Sequence, residues 1–402
     1  MTTFPHYQCT QCKSSFSLSP TLYVCPHCRK KQKSEPLNGI LEVVNYGSPR
    51  IENIFSFLPV ERKYFPAVPI GSTPLWKVQN PHSKTSSIEL YVKNDTLNLT
   101  GSTKDRASYL VTALATKFNY PAICVASTGN AASSQAGLCA CAGLSSIVFI
   151  PEKTPQAKVL QCQHYGAKIF KVAGGYDQAY QMSLEYTREH DQKILSRNTA
   201  YNPLTIEGKK TVSLEIFRDM GKVPDYIFIP AGDGVILSGV YKGFRDLVDY
   251  GFSNHVPKII AVQSSQSCAL YHGLYQGKFD QNYQAQTIAD SLSVNIPQAG
   301  YLATSYLSKY QGEIMLVSDQ EILDAQRELS LNTGVFAEPS AAAGYAGFKK
   351  YQNFKLNSSV VLLITGSGFK DMDRAASLSF NPVPLISSVG EIDLFTTREK
   401  QR

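Results

Sequence analysis

The chain has 402 residues, 43% hydrophobic and 18% charged, with a formal net charge of +7. That is enough apolar material for a large core and for two or three domains, and the charge is mild for this length. No run of about 18 apolar residues is present, which excludes a transmembrane helix, and Met1 to Cys9 lack the basic segment and apolar core of a secretory signal, so a cytoplasmic protein is expected.

At the N-terminus, Cys9 and Cys12 form one C-x2-C pair and Cys25 and Cys28 a second, twelve residues on. Two such knuckles can close a tetrahedral site of four thiolates, which leaves no open position and makes a bound zinc structural. A segment this short has no core of its own, and metal binding would supply its folding energy. Two disulfides are the alternative, and they suit a cytosolic chain poorly. His6 and His27 are spare ligands that a completed shell does not need. Arg29, Lys30, Lys31 and Lys33 follow as a basic cluster, read as solvated surface, with nucleic-acid contact as the rival reading. The remaining cysteines, Cys124, Cys139, Cys141, Cys162 and Cys268, sit among apolar residues and receive no role. From about Gln32 to Ser72 no periodicity emerges, and Pro36, Pro49, Pro59, Pro66 and Pro69 argue against long helices. The expected organisation is a four-cysteine segment over 1–35, a linker and arm over 36–84, a catalytic body of two α/β subdomains over 85–375 and a tail over 376–402.

Beyond residue 85, short apolar runs alternate with amphipathic ones. Strands are expected at Ile88–Val92, Ala122–Ala126, Ser146–Ile150, Lys168–Val172, Tyr226–Pro230, Lys258–Gln263 and Val360–Thr365. Helices are expected at Asp105–Lys117, Asn130–Ala142, Pro155–Tyr165, Tyr176–His190, Glu207–Met220, Ile236–Tyr250, Asp319–Asn332 and Ser340–Tyr351. Such alternation implies an α/β fold with largely parallel sheets, in which ligands sit beyond the C-terminal strand ends.

Four loops follow strand ends. Asn98 to Arg106 leads small polar residues into a helix that opens with Lys104; the positive end of the helix dipole would lower that amine's pKa and favour imine formation. Ser127, Thr128, Gly129 and Asn130 offer hydroxyls and amides at a helix start, a site for a carboxylate, although Asn130 is equally a plain N-cap. Pro230 to Gly239, with Gly232, Asp233, Gly234, Val235 and Ile236, can turn successive amides onto one phosphate, and it matches neither the dinucleotide nor the P-loop pattern. Thr365 opens the fourth loop and could bond a ring nitrogen. A lysine, a carboxylate pocket, a phosphate cradle and a ring partner are together what a pyridoxal 5'-phosphate (PLP) enzyme needs.

The stretch from about 70 to 375 resembles the threonine synthases of the fold type II (tryptophan synthase β-like) PLP family. Thr100 to Arg106 is similar to the family's T-G-S-F-K-D segment, Ala126 to Asn130 to its A-S-T-G-N loop, and Thr365 to Gly368 to its T-G-x-G segment. Ile206 to Thr211, and Val223 to Phe244, also look like threonine synthase. The resemblance implies a two-domain fold type II body with a small N-terminal zinc ribbon. It implies that Lys104 carries PLP as an imine, that Asn130 binds the phenolic oxygen and that Ser127 to Asn130 receive the substrate carboxylate. It further implies that the Gly232 to Ser238 loop holds the phosphate and that Thr365 faces the pyridine nitrogen. A homodimer acting on a small amino-acid substrate is expected, with no membrane or nucleic-acid partner. The implied reaction turns O-phosphohomoserine into threonine and phosphate.

Two positions depart from the family pattern. Thr205 stands where an arginine commonly binds the substrate phosphate, and Gly232 to Ile236 replace a G-N-x-G-N loop. Lys209 and Arg197 are cations that could substitute. The departures keep open a PLP-dependent ammonia-lyase or a β-replacing synthase acting on serine, threonine or an O-activated serine. A non-catalytic, zinc-ribbon nucleic-acid binder is the third alternative.

Overall fold

The computed structural model describes residues 4–30, 32, 36–79, 88–280 and 282–376, a few positions beyond (383, 385–387, 392), and the backbone but not the side chains at 157 and 158. Lys31 and Lys33 of the basic cluster, and most of the expected tail from 377 onward, lie outside the described residues.

Near the N-terminus β1 (His6–Cys9) pairs antiparallel with β2 (Ser15–Ser17), and α1 (Pro26–Arg29) starts at Cys25. The segment without periodicity supplies β3 (Leu41–Val44), antiparallel to the other side of β1. The two knuckles turn on Lys13 N to Cys9 O and Arg29 N to Cys25 O. All nine cysteines are free thiols, and Sγ of Cys9, Cys12, Cys25 and Cys28 lie within 4.8 Å of one another. Arg29 stacks over the Tyr201 ring.

The body follows as β4 (Leu75–Lys77), β5 (Glu89–Asn94), α2 (Lys104–Lys117), β6 (Ala122–Ala126), α3 (Asn130–Ala142), β7 (Ser145–Pro151), α4 (Gln156–His164), β8 (Lys168–Val172), α5 (Tyr176–Glu189) and β9 (Ile194–Ser196). Next come α6 (Leu204–Lys209), α7 (Thr211–Met220), β10 (Tyr226–Pro230), α8 (Val235–Asp249), β11 (Lys258–Ser264), α9 (Ala269–Tyr275) and α10 (Gly300–Lys309). The chain continues through β12 (Glu313–Val317), α11 (Asp319–Thr333), α12 (Pro339–Lys350), β13 (Ser359–Ile364) and α13 (Met372–Ala376). One sheet orders its strands β12-β11-β10-β13-β5-β4, parallel except for β4; the other runs β8-β7-β6-β9, all parallel.

Parallel strands covered on both faces must be apolar on both. On β10 the alternation is visible. Ile227 and Ile229 pack with Leu237, Val240 and Phe244 of α8, while Tyr226 and Phe228 pack with Tyr345 and Phe348 of α12. The helix expected over Glu207–Met220 is instead two, broken at Lys210. Close packing explains the break: a Cβ at Gly208 would stand 2.3 Å from Arg106 O, so α6 is pressed onto α2, and the Lys210 amine is drawn sideways to Asp246 at 2.7 Å. Helices α9 and α10 and strand β12 lie between the elements expected at Lys258–Gln263 and Asp319–Asn332, where none was expected.

A buried ionic cluster seats the arm on the body. Glu207 accepts from Val43 N (3.0 Å) and Tyr46 Oη (2.6 Å) and pairs with Lys210 (2.8 Å). Asp246 holds Lys210 and Lys242, and Glu42 holds Arg245 at 2.8 Å and Tyr306 Oη. Such pairs, dehydrated on both sides, specify a geometry more than they add stability. Among the described residues no helix is long and apolar enough to cross a membrane.

Candidate active site

Strands β10, β13 and β5 are neighbours in the large sheet, so the loops at their C-terminal ends meet. Thr103 N donates to Thr365 O (2.8 Å), Ser367 N to Gly101 O (2.9 Å) and Glu338 N to Gly366 O (3.0 Å). Asp105 tightens the turn before α2 by accepting from Thr100 N and Thr100 Oγ1, at 2.6 and 2.5 Å. The loop after β6 closes the opposite side. The resulting cleft is lined by Lys104, Asn130, Gly232, Asp233, Gly234, Ile236 and Thr365, together with Ser291, Glu338 and Ser340.

Lys104 Nζ makes no hydrogen bond among the described residues. Burial, reinforced by the Arg197 charge, pushes its amine below the usual lysine range, while Asp233 and Glu338 pull the other way. Dehydration, rather than the helix dipole, is thus the leading cause. Arg197 is itself buried, its pKa drawn down to about 10 by burial, with Nε on Ser108 Oγ at 3.1 Å.

The turn before α8 is shaped for a small anion. Gly234 has φ +84°, and a Cβ there would stand 2.9 Å from Ala303 Cβ. Among the described residues the amides of Gly232, Gly234, Ile236 and Leu237 have no partner, and the Ser238 hydroxyl is buried without one. Asp233 is turned aside: Oδ1 caps Val235 N at 3.0 Å and Oδ2 accepts from Thr199 Oγ1. Burial would raise its carboxyl, but the Lys209 and Lys104 charges outweigh that and hold it below the usual range. Val235 itself is turned into the core. Free amides at a helix start, with no side chain in the way, suit a phosphate. An unbonded amine beside them suits an aldehyde on the same ligand.

Ser127, Thr128 and Gly129 do not form the wall of the cleft but stand at the start of α3, whose first residue, Asn130, does. The amides of Thr128, Asn130 and Ala131 are unpartnered among the described residues. Asn130 Nδ2 donates to both oxygens of Glu338, at 3.0 Å each. Burial pushes the Glu338 carboxyl above the usual range, with Asn130 opposing.

The sequence had marked each of the four loops, and the fold brings them to one cleft. It had not marked Glu338, Ser291 or Ser340. The Glu338-Pro339 pair was readable as the start of a helix, since proline favours the first helical position, but nothing in it spoke of a cleft. Ser291 lies between the elements expected at Lys258–Gln263 and Asp319–Asn332, where none was expected.

Residues 67–366 match the family of pyridoxal-phosphate dependent enzymes. The chain is 29% identical to a threonine synthase of Methanosarcina acetivorans, over 96% of this chain and 97% of that one. It is 33% identical to a threonine synthase of Bacillus sp., over 84% and 94%. Among solved structures, maize serine racemase superposes with a TM-score of 0.66 at 20% identity, over 88% of this chain and 98% of that one. Threonine deaminase isoform 2 of Solanum lycopersicum gives 0.63 at 21%, over 76% and 86%. Both share the mixed α/β fold. With a lysine and two sets of amides that are unpartnered among the described residues, and with these relatives, the chain belongs to the pyridoxal-phosphate dependent enzymes of fold type II, as a threonine synthase-like lyase.

Proposed function

We propose that the cleft converts O-phosphohomoserine into threonine and phosphate. The observation that carries this reading is the Lys104 amine, free of hydrogen bonds among the described residues and lining one cleft with the α8 cradle and Asn130 at the start of α3. Pyridoxal 5'-phosphate supplies, when bound, an electron sink for charge that develops on the substrate carbons. The amides of Gly232, Gly234, Ile236 and Leu237 hold its phosphate, with Asp233 and Val235 closing the turn through their own hydrogen bond. Asn130 meets its phenolic oxygen and Thr365 its ring nitrogen. Ser127, Thr128, Gly129 and Asn130 hold the substrate carboxylate against the start of α3. Lys104 would remove the proton at Cα, a task suited to an amine whose pKa burial has lowered, then one at Cβ as phosphate leaves Cγ; a proton returns to Cγ, water adds its hydroxyl at Cβ, and a proton returns to Cα.

In the same reading the four cysteines hold a structural zinc. A tetrahedron with Zn–S bonds of about 2.3 Å has edges of about 3.8 Å. Here Cys9 and Cys28 Sγ are 3.8 Å apart and Cys12 and Cys25 Sγ 3.6 Å. The enzyme is a cytoplasmic homodimer, divided into a ribbon over 1–35, an arm over 36–84, a body over 85–375 and a tail over 376–402.

The test is direct. Purified protein loaded with the cofactor is given O-phosphohomoserine, and phosphate and threonine are measured. No phosphate at high enzyme concentration removes the assignment. One observation favours a second reading, an ammonia-lyase or β-replacing synthase acting on serine, threonine or an O-activated serine: the Thr205 hydroxyl is spent on Thr199 O and Asn202 O and cannot replace an arginine. Pyruvate or 2-oxobutyrate from serine or threonine, or replacement of an O-activated serine, without phosphate release from O-phosphohomoserine, would select it.

A further inference from the structure

Thr205 is fully buried, and its Oγ1 donates at 2.5 Å to Thr199 O and lies 2.9 Å from Asn202 O, so it offers nothing to a ligand. One turn further along α6 stands Lys209. It is buried, and among the described residues its amine makes no hydrogen bond and no ion pair. It is also fixed in place. Gly208 lies against the Arg106 backbone of α2, and on the other side a Cβ at Gly239 of α8 would come within 2.8 Å of Lys209 Cβ. The helix is thus wedged between the one that opens with Lys104 and the one that follows the phosphate cradle.

The charges that act on Lys209 are Lys104, Asp233 and Arg197. Asp233 is already engaged by Thr199 Oγ1 and Val235 N, and Arg197 by Ser108 Oγ and, at 3.5 Å, Lys104 O. The Tyr176 hydroxyl closes the group from α5: it donates to Ala126 O at 3.3 Å and feels both Asp233 and Arg197. Asp233 is therefore the one carboxylate that acts on Lys209, while Lys104 also feels Glu338 and Arg197 also feels Asp105; burial leads in pushing the Lys209 amine well below the usual lysine range. An ammonium held away from water without a partner is unfavourable, and an arriving dianion relieves it.

We propose that Lys209 is the specificity-determining residue for the leaving group, taking the substrate's side-chain phosphate in place of the arginine that Thr205 replaces. The proposal rests on the substrate reading above and names the residue that enforces it.

The holoenzyme and its Lys209→Met and Lys209→Arg variants are compared in two ways. In steady-state turnover of O-phosphohomoserine, Lys209→Met raises KM about 10- to 100-fold with a smaller change in kcat, and Lys209→Arg recovers most of the loss. In binding, followed by the cofactor's absorbance, Lys209→Met weakens 2-amino-5-phosphonopentanoate by the same factor and leaves norvaline, which has no anionic side chain, within twofold. An unchanged phosphonate affinity overturns the proposal. So does an equal loss for phosphonate and norvaline, which marks a merely structural lysine. If the unmodified enzyme releases no phosphate from O-phosphohomoserine, the substrate reading falls, and the phosphonate-to-norvaline comparison still decides the role of Lys209.

Discussion

A methyl group added at Gly234 strikes the wall of the cradle. The residue sits at φ +84°, and a Cβ would lie 2.9 Å from Ala303 Cβ and 3.3 Å from Ala299 O. Left-handed backbone costs an alanine roughly 1–2 kcal/mol. Pressing a carbon into a packed wall adds about 1–3 kcal/mol. The Gly234→Ala variant should therefore lose about 2–5 kcal/mol of unfolding free energy in the absence of cofactor, measured by denaturant titration. Relaxation that spares the fold would instead tilt the amides of Gly234 and Ile236 and weaken cofactor binding. A control exists one loop away. Gly129 has φ −130° and open space where its Cβ would go, so Gly129→Ala should change stability by less than about 0.5 kcal/mol. Gly234→Ala within 1 kcal/mol of the parent, with unaltered PLP affinity by absorbance titration, would refute the reasoning.

Lys104→Ala should bind PLP without a covalent link, so borohydride followed by peptide mass analysis finds no adduct; an adduct elsewhere would move the catalytic assignment. Thr205→Val loses two contacts to carbonyls of the segment that precedes α6, so it should cost about 1 kcal/mol in denaturant stability and leave KM for O-phosphohomoserine within twofold; a large KM change would return Thr205 to the substrate site. Burial would raise the Glu215 carboxyl, but the Arg106 guanidinium, bonded to it at 2.6 and 2.8 Å, holds it at about 2. Against roughly 4.3 in the unfolded chain, that depression contributes about 3 kcal/mol, present above about pH 4.5 and lost as pH falls toward 2. Unfolding curves measured across pH 3 to 6 should be flatter for Glu215→Gln than for the parent, and equal slopes would contradict the pairing. Chelation of metal should open residues 9–28 to limited proteolysis, with about one zinc released per chain; equal resistance with and without chelator would count against the metal.

How much was legible in the sequence depends on where the information sits. The strands Ala122–Ala126, Lys168–Val172 and Tyr226–Pro230 were expected with these bounds, because a short apolar run between turn residues is a local signal. Lys104 and the three loops around it were legible for the same reason: each is a strand end followed by small polar residues. The break at Lys210 was not, because it arises from Gly208 meeting Arg106 across the fold, and no local pattern carries that contact. Glu338 was missed because its place in the cleft depends on β13 lying beside β5, a fact of sheet order. Leu41–Val44 becomes a strand only because β1 is there to pair with it.

The seating of the arm has a consequence for any shortened chain. The family match starts at residue 67, yet the ionic cluster beneath it contains Glu42 and is roofed by Val43 and Tyr46. In the whole chain Glu42, Glu207 and Asp246 balance Lys210, Lys242 and Arg245. A protein begun at residue 67 keeps all three bases and two of the acids; Arg245 is left with the Tyr306 hydroxyl and a long pair to Asp249 at 3.8 Å, and Glu207 loses two of its donors. Breaking such a set typically costs about 3–5 kcal/mol, a large share of what holds any domain together. A boundary drawn by homology alone would therefore give a less stable protein than one drawn ahead of Glu42.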